Sequence, residues 1–141
     1  MNGVKVDIFT PDPDFVGMVE PSGDPLPRVA SLPELFRTKA LASAIRCFSR
    51  DWIDLYVLFQ RHGFTLADFH EAFQQPAVHD PAQRIARAFQ NLCRGVASAT
   101  DPGYETLMPD APSLEQLARF FITMRDEYEV EQARKAFRRS E

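Results

Sequence analysis

Five charged residues stand close together in a stretch that otherwise reads as core. They are Lys39, Arg46, Arg50, Asp51 and Asp54, within LPELFRTKALASAIRCFSRDWIDLYVLF, Leu32 to Phe59. On a regular helix Lys39, Ser43, Arg46 and Arg50 follow at separations of four, three and four and share one face. Arg50 and Asp54 form an i, i+4 pair on the next helix, and Asp51 and Asp54, three apart, share a side. Lysine brings a compact charge suited to one phosphate oxygen and a proton it can lose when desolvated, neither of which arginine matches. The chain has only three lysines among its sixteen bases, so a lysine at position 39 departs from its habit. The same spacing also suits a purely structural corner in which Arg–Asp contacts lock two helices together. Both readings require the elements that bring these residues to one place.

From Ser31 onward the pattern is helical. Ser31 and Glu34 form an S-x-x-E capping box ahead of an apolar stripe of Leu32, Leu35, Phe36 and Ile45, which predicts a helix over about 32–46. Ser49 is expected to cap a second helix over about 50–61 with Leu55, Leu58 and Phe59 facing inward, stopped by His62-Gly63. Thr65 with Asp68 opens a third, Asp80-Pro81 a fourth, and Ser113 with Gln116 a long fifth. Ile85, Phe89, Leu92 and Val96 give the fourth helix its stripe; Leu117, Phe120, Phe121, Met124 and Tyr128 give the fifth. The loop ATDPGYETLMPDAP carries an exposed-looking Tyr104, which could touch a partner although loop aromatics more commonly pack down, and the tail EQARKAFRRSE reads as basic and solvated.

Before Ser31 the sequence is different. VKVDIF alternates Val4, Val6 and Ile8 with Lys5, Asp7 and Phe9, a strand period. The next eighteen residues hold five prolines and two glycines and read as a connector, with short strands expected near Phe15 to Val19 and Arg28 to Ala30. The expected fold is therefore α+β, mostly α, with short N-terminal strands followed by about five helices. A chain of 141 residues and 45% hydrophobic content suits one domain over 1–141, with 1–30 as strands and loop and 31–141 as the helical part.

Composition narrows the function classes. A net charge of −4 argues against a general nucleic-acid coat protein, but residues 28–61 hold six bases against three acids, so any basic surface belongs there. Cys47 and Cys93 lie in apolar patterns without metal-ligand spacing and read as reduced thiols. His62, His70 and His79 also form no ligand pattern and are expected at helix ends or on the surface. No apolar run approaches a membrane span and no signal peptide is expected, which suits a cytoplasmic protein.

The run Leu35 to Leu58, through K-A-L-A-S-A-I-R and R-D-W-I-D-L-Y-V-L, resembles the C-terminal signature of the AbiEii/AbiGii family, the nucleotidyltransferase-like toxins of bacterial type IV toxin–antitoxin systems. It covers about a sixth of the chain. The resemblance implies nucleotidyl transfer from a nucleoside triphosphate to an RNA acceptor such as transfer RNA, with a cognate antitoxin as partner. It implies Lys39 and Asp51 as catalytic, with Lys39 on the triphosphate and Asp51 holding that lysine or the attacking group. Arg46 and Arg50 would bind phosphate or fix the acids, Asp54 would pair with an arginine at the corner, and Asp7 would be the metal-shell acid for Mg²⁺. Asp12 and Asp14, in D-P-D between prolines, read as turn residues.

The family's G-S motif and its pair of aspartates one residue apart on a strand are missing from this sequence. The expectation is thus the distal half of a nucleotidyltransferase: a truncated reading frame, a remnant, or a subunit whose partner supplies the front half, with the metal clamp lacking. The alternative class is a non-catalytic helical interaction module, whose open edge at VKVDIF would seek a complementing chain.

Overall fold

The computed structural model describes residues 30–101, 103, 104 and 108–139. The expected strands at 4–9 and 15–19, the strand residues before Ala30, and Asp7, Asp12 and Asp14 lie outside these residues. Within the described residues the chain forms five helices: α1 Leu32–Ile45, α2 Ser49–His62, α3 Leu66–Phe73, α4 Pro81–Leu92 and α5 Leu114–Arg139. The helical part of the fold expectation holds in number and order. No described helix is long and apolar enough to cross a membrane.

The punctuation follows local chemistry. Ser31 and Glu34 bond reciprocally at the start of α1, Thr65 and Asp68 at α3, and Ser113 and Gln116 at α5, so orphan amides at each N-terminus are satisfied by side chains. Asp80, at φ 50°, accepts from the Gln83 amide and starts α4 ahead of Pro81. Gly63 ends α2 in the left-handed region at φ 72°, which a side chain would resist.

The cap expected of Ser49 is not there. Phe48 occupies the cap position and makes no side-chain cap bond; instead the carboxylate of Asp101, distant in sequence, accepts the Ser49 amide at 2.7 Å. Asp101 also accepts from the Gly103 amide at 3.0 Å. Burial pushes the Asp101 carboxyl up, but the bonds from Ser49 and Gly103 and the nearby Arg50 charge outweigh this and leave its pKa lowered. A loop carboxylate at a helix N-terminus also meets the positive end of the helix dipole.

α1 packs on α4, α2 and α3, while α5 closes against α4 and α2. The core is aromatic, with Phe36, Trp52, Phe69, Phe73 and Phe121 all buried around Leu41, Leu55, Leu92 and Leu117. Small buried residues, Ala40 and Ala44 on α1 and Ala88 on α4, let helices approach closely. Asn91 of α4 donates to the Ser43 carbonyl at 2.8 Å and accepts from the Cys47 thiol at 2.9 Å, tying α4 to the end of α1.

Several sequence expectations change here. In α1 only Phe36 of the expected stripe is buried, while Leu32, Leu35 and Ile45 stay exposed, because the alanine-rich face turns inward. α4 stops at Leu92, which leaves Val96 exposed. Tyr104, exposed-looking in sequence, does pack down as the commoner reading of a loop aromatic has it: it is buried, its hydroxyl donating to the Pro112 carbonyl. His70 is a packed residue: it stacks on Tyr128 at 3.8 Å, its Nε2 is buried without a hydrogen-bond partner among the described residues, and burial pushes its pKa down.

Candidate functional site

The break between α1 and α2 makes the site. α1 ends at Ile45, and Arg46 takes an extended backbone (φ −139°, ψ 159°), so its side chain leaves the helical row that Lys39 and Arg50 would otherwise share. α2 then begins at Ser49 and turns its first carboxylate, Asp51, into the corner. Asp51 is fully buried, with a side chain only 2% exposed. A buried carboxylate is tolerated only with cations and hydrogen bonds around it.

Both oxygens of Asp51 are engaged. Oδ1 accepts from Lys39 Nζ at 2.8 Å and from Arg46 Nη2 at 3.2 Å, and Oδ2 accepts from Arg46 Nε at 2.7 Å. The arginine is thus bidentate, a strong geometry for an ion pair. Its guanidinium also lies 5.3 Å from the centre of the Phe48 ring.

Lys39 reaches a second carboxylate, Asp54 Oδ2, at 2.7 Å. The expectation that Asp54 pairs with an arginine is therefore corrected: its cation is Lys39. Asp54 lies one turn before Leu58 on the outer side of α2 and stays 42% exposed, so it meets the lysine from the solvent side while Asp51 meets it from within. An ammonium has three donors, and these two carboxylates take two of them.

Burial alone would lower the Lys39 pKa. The hydrogen bond and charge of Asp51, followed by those of Asp54, outweigh it and leave the pKa raised. Lys39 is consequently held as an ammonium. Of the two properties a lysine can bring, the compact charge is favoured here over the losable proton, because desolvation comes with two counter-charges. What the lysine offers is a fixed positive charge and, among the described residues, one free donor.

The candidate residues do not all converge. Lys39, Arg46, Asp51 and Asp54 form one network, whereas Arg50 turns away and donates from Nε to the Gly103 carbonyl at 3.2 Å. Arg50 belongs with Asp101 to the loop that holds the α2 N-terminus. Asp7 lies outside the described residues. Two further polar atoms close in sequence to Asp51, Ser49 Oγ and Trp52 Nε1, are buried without a hydrogen-bond partner among the described residues. Their reading from sequence was out of reach, because nothing in a pattern of spacing distinguishes an orphaned donor from a satisfied one.

Mg²⁺ does not fit this corner. Its hard-oxygen ligands would have to include Asp51, whose two oxygens already accept from Lys39 and Arg46, and Asp54 supplies a single exposed carboxylate. Among the described residues no group of three or more His, Cys, Asp or Glu residues is placed to hold a metal ion. The corner is charge-balanced, with two cations on two carboxylates.

No curated protein and no solved structure matches this chain. A family model does, described as nucleotidyl transferase AbiEii toxin of the type IV toxin–antitoxin system, and it spans residues 3–139. The likeness carried by Leu35 to Leu58 thus extends across nearly the whole sequence, through all five helices and the loops between them. The chain belongs to the AbiEii family of nucleotidyl transferase toxins.

Proposed function

We propose that the α1–α2 corner is the nucleotide-phosphate side of a nucleotidyl transfer site, with Lys39 as the group that touches a nucleoside triphosphate and a transfer RNA or other RNA as acceptor. One observation supports this reading above the others: Lys39 is held as an ammonium by Asp51 and Asp54 and, among the described residues, retains one donor. A preorganised cation of this kind stabilises negative charge on a phosphate oxygen without reorganising when the ligand arrives. Asp51 acts through Lys39 and Arg46 by fixing their positions, since both of its oxygens accept hydrogen bonds from these two cations. Arg46, half exposed on the far side of Asp51, contributes a second positive charge at the same corner. Arg50 is left out of the binding group by its bond to Gly103 and supports α2 instead.

Mg²⁺ enters this reading only through Asp7, outside the described residues. A cognate antitoxin is the partner that the toxin–antitoxin family implies. The direct assay is incubation of the purified chain with each radiolabelled nucleoside triphosphate and bulk transfer RNA. Label appearing in RNA with the wild type, and lost in Lys39→Gln, supports the transferase; equal labelling by both proteins removes Lys39 from the site.

A second reading has its own observation. Every charge at the corner is already paired within the chain, as expected of a helical module that binds a protein partner and no nucleotide. Under that reading Lys39→Gln lowers stability while nucleoside triphosphates stabilise neither protein.

A further inference from the structure

The α5 helix is longer than the body it packs against. Leu117, Ala118 and Phe121 are buried, yet from Glu129 to Arg139 every residue is exposed. That segment is about three turns, roughly 16 Å at 1.5 Å per residue. A helix of that length has little stability of its own in water. It nevertheless carries an apolar row, Val130, Ala133 and Phe137, with Val130 half exposed and Phe137 at 70%.

This row continues a groove on the body. Thr123, Glu127, Val130, Arg134 and Phe137 succeed one another at separations of four, three, four and three, and so lie on one face. Thr123 and Glu127 line a groove of about 620 Å³ between α5 and the α2–α3 junction, walled by Phe59, Phe64, Phe120 and Met124. The charges along the same flank are ordered. Glu127 and Glu131 come first, Arg134 and Arg138 follow, at separations of four, three and four. Among the described residues Glu127, Arg134 and Arg138 make no ion pair, and Glu131 meets only Lys135.

We infer that this face binds a second copy of the chain, with the two α5 overhangs antiparallel about a two-fold axis near residues 131–134. In that arrangement the acidic half of each flank meets the basic half of the other, and Phe137 of each copy is brought level with residue 128 of its partner, at the groove end marked by Glu127. Parallel copies would instead set Arg134 and Arg138 beside themselves. The interface is isologous, so one set of residues completes both halves. Its contacts lie away from Lys39 and Asp51, and the dimer stands or falls independently of nucleotide binding.

Sedimentation equilibrium on the whole chain through the micromolar range tests this, with circular dichroism to verify folding. The wild type is expected at twice the chain mass and Phe137→Glu at the monomer mass. Glu127→Arg with Glu131→Arg, or Arg134→Glu with Arg138→Glu, is expected to give monomers, since each variant repels its own copies. All four reversals together restore opposite charges and are expected to restore the dimer. A monomeric wild type throughout the range, or a dimer untouched by Phe137→Glu and by both charge pairs, overturns the inference.

Discussion

Lys39 Nζ lies 2.8 Å from Asp51 Oδ1, and the carboxylate that receives it is as buried as the aromatic core around it. The pair joins the middle of α1 to the first turn of α2 and sets the direction in which the chain leaves the break at Arg46 to Phe48. Asp54 touches the same lysine from the solvent side. The two carboxylates therefore differ sharply in what they contribute, although spacing alone made them look alike.

Asp51→Asn is expected to destabilise the fold by about 3 kcal/mol, because it strands two cations around a buried group that has lost its charge. Asp54→Asn should cost under about 1 kcal/mol, since its partner pair is open to solvent and screened. Urea denaturation of the two variants beside the wild type measures the difference. Equal losses would show that Asp51 is not the anchor of the corner.

The pH dependence has a definite sign at each end. Lys39 has a folded-state pKa above its unfolded value, so its contribution to stability is full below the ordinary lysine value of 10.5 and is lost as pH rises through the folded pKa. Melting curves of wild type and Lys39→Met, taken upward from pH 9, should converge on the alkaline side.

Asp101 behaves oppositely. Its folded pKa is depressed, so its contribution is present above the ordinary aspartate value of 3.8 and is lost as pH falls through the folded pKa. Asp101→Asn should flatten the acid limb of the melting curve and speed amide exchange at the start of α2. Unchanged exchange there would mean that the loop carboxylate does not cap the helix.

Gly63→Ala is expected to cost about 1 kcal/mol, with Gly63→Asn milder, because the residue ends α2 at positive φ. No atom lies within 4 Å of where the new Cβ would sit, so the cost is conformational and not steric. A neutral Gly63→Ala in thermal unfolding would rule out the left-handed cap.

The helices were legible because their ends are written in local chemistry: the reciprocal caps at Ser31, Thr65 and Ser113 act over three residues and need no tertiary context. The corner was legible in part. Lys39 and Asp51 stood out by type and spacing, but the departure of Arg50 depended on Gly103, fifty-three positions away, and the capture of Lys39 by Asp54 depended on where α1 stops. Asp101 and Asn91 gave no signal, since a loop aspartate and a helical asparagine look the same whether or not they reach a distant backbone amide or carbonyl. The inward face of α1 was misjudged for a related reason: its large residues suggest a stripe, but close packing against α4 favours the alanines.

The most direct test of the corner is nucleotide affinity. Isothermal titration of the folded chain with each nucleoside triphosphate in the presence of Mg²⁺ should be run on wild type, Lys39→Gln and Asp54→Asn, with circular dichroism verifying the fold of each. If the corner holds the phosphates, one or more nucleotides bind the wild type and Asp54→Asn, and Lys39→Gln weakens them at least about tenfold, or roughly 1.4 kcal/mol. Wild-type binding that Lys39→Gln leaves intact, or no binding by any nucleotide, would contradict the account and leave the Lys39–Asp51 pair as a structural lock between two helices.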